Sequence, residues 1–150
     1  MTLDELLLRR LADGSAAGKQ EMRVQDESGR SVTLVVDHAD TVGCRLDEVA
    51  LSGPAVADLP ARAAAVATRV TGLLEPLRLL ETDQERGVAV LRSVAPTKRG
   101  DLRQYYELLL RTDGSASLRR YQAPPAGRRQ AVAFSLTHEA LAKLVADLAA

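Results

Sequence analysis

The sequence predicts an α+β fold: antiparallel sheet(s) built from hairpins with helices packed on one face, in the order α-βββ-α-βββββ-α. Three observations predict it. Two segments alternate apolar and polar residues around glycine turns, so each reads as a hairpin with one apolar face. Three other segments repeat leucine, alanine or valine at helical spacing. These helical segments fall at the breaks between strands, which suits helices covering one side of a sheet. The 150 residues suit one compact domain, 1–150, with the opening helix (1–14) and a link (15–19) expected at its periphery.

The elements follow in order. Thr2-Leu3-Asp4-Glu5 fits a capping box, Leu3, Leu6, Leu7 and Leu11 recur at helical spacing, and Gly14 can supply a left-handed stop. Residues 14–19 are small and read as a link. Met22 and Val24 alternate with polar residues before the turn Glu27-Ser28-Gly29, and Val32, Leu34 and Val36 alternate after it. A three-residue loop with Gly29 left-handed pairs Val24 with Val32 and Met22 with Leu34, placing all five apolar side chains on one face. A third strand is expected from Val42 to Leu51. Residues 54–74 read as the main helix, with Pro60 in its first turn and a stripe of Ala63, Val66, Ala67, Val70, Leu73 and Leu74.

The second half reads mostly as strand. Leu77–Glu81 and Val88–Arg92 flank a turn at 82–87. Arg103 to Gln122 forms another hairpin through Thr112-Asp113-Gly114. With Gly114 left-handed, Leu108 faces Leu118 and Leu110 faces Ala116 on the buried side, while Glu107 faces Arg119 and Tyr105 faces Tyr121 on the other. Residues 123–129 form a loop and Gln130–Leu136 a last strand. Thr137 caps a terminal helix whose Leu141, Leu144, Val145 and Leu148 form the buried stripe.

Composition narrows the function classes. Twenty basic and twenty acidic residues cancel, so no overall charge advertises a nucleic acid or a membrane surface. No apolar run exceeds five residues, against the roughly 18 a membrane-spanning helix needs. Charged residues around the first leucines argue against a secretory signal, and a cytoplasmic location is expected. One cysteine excludes an internal disulfide and any zinc site built from several thiolates. Seventeen of the basic residues are arginine, and asparagine, isoleucine and tryptophan are absent, a bias that reads as GC-rich coding.

Gly14-Ser15-Ala16-Ala17-Gly18-Lys19-Gln20 looks superficially like a phosphate loop. Three residues lie between its glycines where four are needed, and Gln20 follows the lysine where a magnesium-binding hydroxyl belongs. It reads as a linker. Asp37-His38-Ala39-Asp40 with Cys44 is the one cluster of catalytic or metal-ligating residue types, since His38 and Cys44 can meet across a turn. The competing reading makes Asp37, His38 and Asp40 a polar turn and Cys44 a small apolar core residue. His138, in the first turn of the last helix, is expected to be exposed. Asp47-Glu48 and Glu81-Asp83 sit beside turns, where acidic residues are common, and nothing in the sequence desolvates them. No cofactor and no metal is expected.

Charge distribution is the most informative feature. Residues 86–130 hold ten basic groups and three acidic ones, so this stretch carries a net +7 and the remainder −7. All three tyrosines lie there as well. In the predicted register Arg103, Tyr105, Arg111, Arg119 and Tyr121 share the outward face, where arginine forks can grip phosphates and tyrosines can stack bases. Pairing of the basic stretch with the acidic remainder, within one chain or between two, accounts for the same split.

In element order the chain is similar to the small dimeric chaperones of bacterial secretion systems. Its sheet-then-helix units with basic and aromatic faces are similar to Pur-type nucleic-acid-binding repeats. Both are likenesses of arrangement alone. The sequence thus leads to a non-catalytic protein-interaction or adaptor domain, homodimeric, whose partner is a protein or a second copy. A single-stranded nucleic-acid-binding module using the Arg/Tyr face is the alternative. A small enzyme or metal protein centred on His38 and Cys44 is the third reading.

Overall fold

The computed structural model describes residues 1–14 and 16–150, with Ala16 and Ala17 described by their backbone alone. The elements are α1 (Leu3–Ala12), β1 (Ala16–Gln25), β2 (Ser31–Ala39), β3 (Gly43–Ser52), α2 (Leu59–Arg69), β4 (Leu77–Asp83), β5 (Val88–Ser93), β6 (Thr97–Arg99), β7 (Leu102–Arg111), β8 (Ala116–Ala123), β9 (Gln130–Val132), β10 (Phe134–Thr137) and α3 (His138–Ala149). Among the described residues the strands form one antiparallel sheet in the order β1-β2-β3-β8-β7-β5-β4, with β10 on β3, β6 on β7 and β9 on β8. Helices cover one face of it, as the sequence predicts. Among the described residues no helix is long and apolar enough to cross a membrane.

Both hairpins take the predicted register. Val24 lies opposite Val32 and Met22 opposite Leu34. In the second, Leu108 meets Leu118, Leu110 meets Ala116, Glu107 meets Arg119 and Tyr105 meets Tyr121. Gly114 takes φ +91°, the left-handed value its turn requires, and a Cβ there would stand 2.3 Å from the carbonyl oxygens of Gly53 and Pro54. That second constraint comes from a segment sixty residues upstream in the chain and is invisible in the turn itself.

The core is one cluster. Leu3, Leu7 and Leu11 of α1, Ala63 and Val66 of α2, and Leu141, Leu144, Val145 and Leu148 of α3 close over Val32, Leu34, Val49, Leu91, Leu108 and Leu118 of the sheet. Each fully buried leucine removes enough apolar surface to contribute roughly 1.5–3 kcal/mol. The helix α1 is therefore an integral part of the packing, where the sequence suggests a peripheral one.

Four other local expectations are corrected. Thr2 makes no side-chain cap bond, and α1 closes through a bond from the Asp13 amide to the Arg10 carbonyl without Gly14 turning left-handed. The link 15–19 is largely the start of β1, which runs from Ala16 as an edge strand alongside β2; Ser15 lies outside the described residues. The main helix is shorter than 54–74, because the Asp58 carboxylate accepts from the Ala61 amide and starts it at Leu59, and the extended backbone of Val70 ends it. Leu74 consequently leaves the predicted apolar stripe and is 72% exposed. The last strand is divided by Ala133 into β9 and β10. Thr137 does cap α3, its hydroxyl oxygen accepting from the Ala140 amide at 3.1 Å.

That division has a structural consequence. The strands β3 and β8 pair only through Val49–Leu118, Ala50–Ser117 and Leu51–Ala116. Beyond those pairs they separate, and the segment from Gln130 to Thr137 bridges the fork. Its β9 half pairs with β8 (Arg120 opposite Val132) and its β10 half with β3 (Cys44 opposite Leu136).

Candidate functional site

The five residues of the predicted Arg/Tyr platform all fall on the outward, helix-free face. The alternation of β7 puts Arg103, Tyr105, Glu107 and Arg111 on it, and that of β8 puts Ser117, Arg119 and Tyr121 beside them. The rings of Tyr105 and Tyr121 are neighbours, 6.1 Å between centroids and tilted by 35°. The face is not an open field of cations, however. Arg119 donates from Nε to Glu48 at 2.8 Å, and that carboxylate also accepts from the Ser117 hydroxyl at 2.8 Å. Glu107, which the sequence pairs with Arg119, is instead gripped by Arg92 (2.7 Å) and by Arg129 (2.7 and 3.3 Å).

Arg129 reaches in from the 124–129 loop and lies over the Tyr121 ring, 3.8 Å from its centroid. A base stacking on that face of Tyr121 must displace it. Burial acts to raise the Glu107 carboxyl, but the hydrogen bonds from Arg129 and Arg92 outweigh it and hold the group below its ordinary value. Hydrogen bonding to Glu107 raises Arg129 in turn. Arg92 is legible as the cross-strand neighbour of Glu107 once the β5–β7 register is known. Arg129 carries no such signal, because a loop residue has no period. Arg103 and Arg111 make no ion pair among the described residues.

His38 and Cys44 are not brought together. Cys44 lies opposite Ala39 and faces the core, while His38 lies opposite Arg45 on the exposed side. Burial, helped by the charge of Asp40, pushes the Cys44 thiol up, the reverse of what an activated nucleophile needs. Asp37 pairs with Arg45 at 3.1 Å, and Asp40 accepts from the amides of Val42 and Gly43 at 2.8 and 2.9 Å. The turn therefore uses these acids for its own construction. His138 is half-buried rather than exposed, its amide donating to the Val42 carbonyl, and its Nε2 has no partner among the described residues.

Two features escaped the sequence. The first is a buried ion pair beneath the helix layer. Arg120 donates to both oxygens of Glu75, which also accept from the hydroxyls of Ser93 (2.7 Å) and Thr97 (2.6 Å). The Arg120 guanidinium lies 4.2 Å from the Tyr106 ring centroid, and Tyr106 meets Phe134 edge-on at 5.7 Å. Every oxygen lone-pair direction of the buried carboxylate is thus occupied by a donor, which makes its desolvation tolerable.

The second is the exposed edge strand β4. Of the large apolar side chains that are exposed, Leu74, Leu79, Leu80 and Val94 all lie on β4 or beside it. The strand bulges at Leu80, between the pairs Leu79–Leu91 and Glu81–Val90. The bulge brings Arg78 and Glu81 onto the same outward face although they are three residues apart. Arg78 stands opposite Arg92, whose charge Glu107 already takes up, and Arg78 itself makes no ion pair among the described residues. In comparisons with known proteins, no family model matches the chain, and neither a curated protein nor a solved structure does.

Proposed function

We propose that the chain is a non-catalytic protein-interaction domain acting as a homodimer, with two copies joined antiparallel along β4. The reading rests on one observation: the β4 edge is self-complementary. In antiparallel pairing about a two-fold axis between Leu79 and Leu80, Arg78 of one copy stands opposite Glu81 of the other, twice per dimer. Leu79 and Leu80 then cover one another. A bulged edge ordinarily discourages pairing, but here the bulge is what puts the two charges on one face. An isologous contact of this kind closes on itself and does not propagate.

Light scattering coupled to gel filtration tests it. The wild type is expected to run as a dimer, with Leu79→Lys/Leu80→Lys monomeric. Arg78→Glu or Glu81→Arg alone is expected to weaken the dimer, and the two together to restore it. A wild-type monomer at every concentration, or charge swaps without effect, overturns the reading.

A second reading, single-stranded nucleic-acid binding, is favoured by the common face of Arg103, Tyr105, Arg111, Arg119 and Tyr121. Fluorescence polarisation with labelled single-stranded DNA and RNA tests it. Binding that falls steeply with salt and is lost in Arg111→Ala/Arg119→Ala supports it, and no binding even at low salt removes it.

A further inference from the structure

We infer that the cleft at the fork between β3 and β8 is a binding site for a small organic carboxylate with an apolar body. It has a volume of about 730 Å³, within the range of small-molecule sites. Its existence follows from the topology. The strands β3 and β8 separate after Val49–Leu118, and the β9–β10 segment that bridges them lines the cleft together with β7, Arg99 and residues 72–74.

The lining is charged with one sign. Arg45, Arg99 and Arg120 contribute to it, and no aspartate or glutamate does. Two of these arginines are already neutralised: Arg120 by Glu75 and Arg45 by Asp37. Arg99 makes no ion pair among the described residues, so the cleft holds one uncompensated positive charge, which matches a monoanion. A guanidinium binds a carboxylate through two parallel hydrogen bonds, a geometry lysine does not offer.

The remaining walls suit the rest of such a ligand. Phe134 and Tyr106, edge-on to each other at 5.7 Å, supply an aromatic wall, and the exposed Leu74 lines the cleft beside them. Gln104 and Gln122 donate and accept across the floor, joined to each other at 3.2 Å. A free guanidinium and apolar walls within one cleft define the amphipathic ligand class.

Anilinonaphthalene sulfonate, an amphipathic monoanion whose sulfonate stands in for the carboxylate, is the probe, with uncharged N-phenyl-1-naphthylamine as its control. The sulfonate is expected to saturate at one site per chain and the uncharged analogue to bind more weakly. Arg99→Ala is expected to weaken the sulfonate about tenfold, the loss of a charge-assisted hydrogen bond. The variant Arg9→Ala, an exposed position on α1 outside the lining of the cleft, is expected to leave it unchanged.

Nuclear magnetic resonance locates the site independently. The chain has six glutamines and no asparagine, so its side-chain amide region is nearly empty. The Gln104 and Gln122 signals are expected to move on titration and those of Gln20, Gln25, Gln84 and Gln130 to stay. Equal affinity in Arg99→Ala, equal affinity for the uncharged analogue, or shifts that spare Gln104 and Gln122 each overturn the inference.

Discussion

Arg120 and Glu75, forty-five residues apart, meet in a two-pronged ion pair at 2.9 and 2.8 Å while only 4% and 5% exposed. Glu75 belongs to no helix or strand. It sits between α2 and β4, and through Ser93, Thr97 and Arg120 it ties that connection to β5, β6 and β8. The Ser93 hydroxyl oxygen also accepts from the Tyr106 amide at 2.8 Å, carrying the network into β7.

The pair is expected to be far more sensitive to losing one member than to losing both. Arg120→Met strands a buried carboxylate and should cost about 3–5 kcal/mol in urea unfolding. Arg120→Met combined with Glu75→Leu removes both charges and should cost markedly less than the two single changes added together. Additive costs would show that the partners do not interact as described.

Acid should unfold the protein partly through the same group. Burial works to raise the Glu75 carboxyl, but hydrogen bonds from Arg120, Thr97 and Ser93 leave it below its unfolded value of 4.5. Glu107 is depressed in the same sense. The unfolded chain then binds more protons than the folded one, so these groups contribute stability fully present above about pH 4.5 and lost as pH falls through their lower folded values. Urea midpoints measured from neutral to acid pH should fall accordingly, and Glu75→Gln should flatten the slope.

Two glycines with nearly the same backbone angle should respond differently to alanine. Gly29 has φ +90° with open space where a Cβ would go, so Gly29→Ala should cost only the left-handed penalty of about 1–2 kcal/mol. Gly114 has φ +91° and the Gly53 and Pro54 carbonyl oxygens in the way. Gly114→Ala should lose clearly more stability, because the backbone around 53–54 must move as well. Equal losses in thermal unfolding would mean that this contact yields without cost.

Cys44 should behave as a core residue. Its thiol is expected to react with a disulfide reagent slowly in the native protein and rapidly in denaturant, since burial and Asp40 both disfavour the thiolate. Cys44→Ser, which buries a hydroxyl among Ala39, Leu136 and their neighbours, should cost about 1–3 kcal/mol. Rapid native reaction would return Cys44 to consideration as a functional thiol.

The sequence by itself determined whatever depends on neighbours in the chain. Alternation at Met22–Val36 and at Tyr105–Tyr121, with glycine at the left-handed turn position, decided both hairpins to the residue, because a one-residue slip turns every apolar side chain to water. The same local logic decided the Thr137 cap and the buried stripe of α3. Thr2 and Gly14 had the right residue types for α1 but no local rule says when a cap goes unused.

The tertiary structure decided which local units became neighbours and which strand was left at the edge. Arg119 had Glu107 opposite it in the hairpin, yet it pairs with Glu48 of β3, because β3 docks on its other side. Arg129 lies over Tyr121 and Glu75 beneath Arg120 from segments with no period to announce them. Charge pairs of this kind form wherever docking places opposite charges within reach, and that geometry is a property of the whole sheet. The fork between β3 and β8 and the exposed leucines of β4 are likewise outcomes of strand order, which no single stretch of this chain encodes.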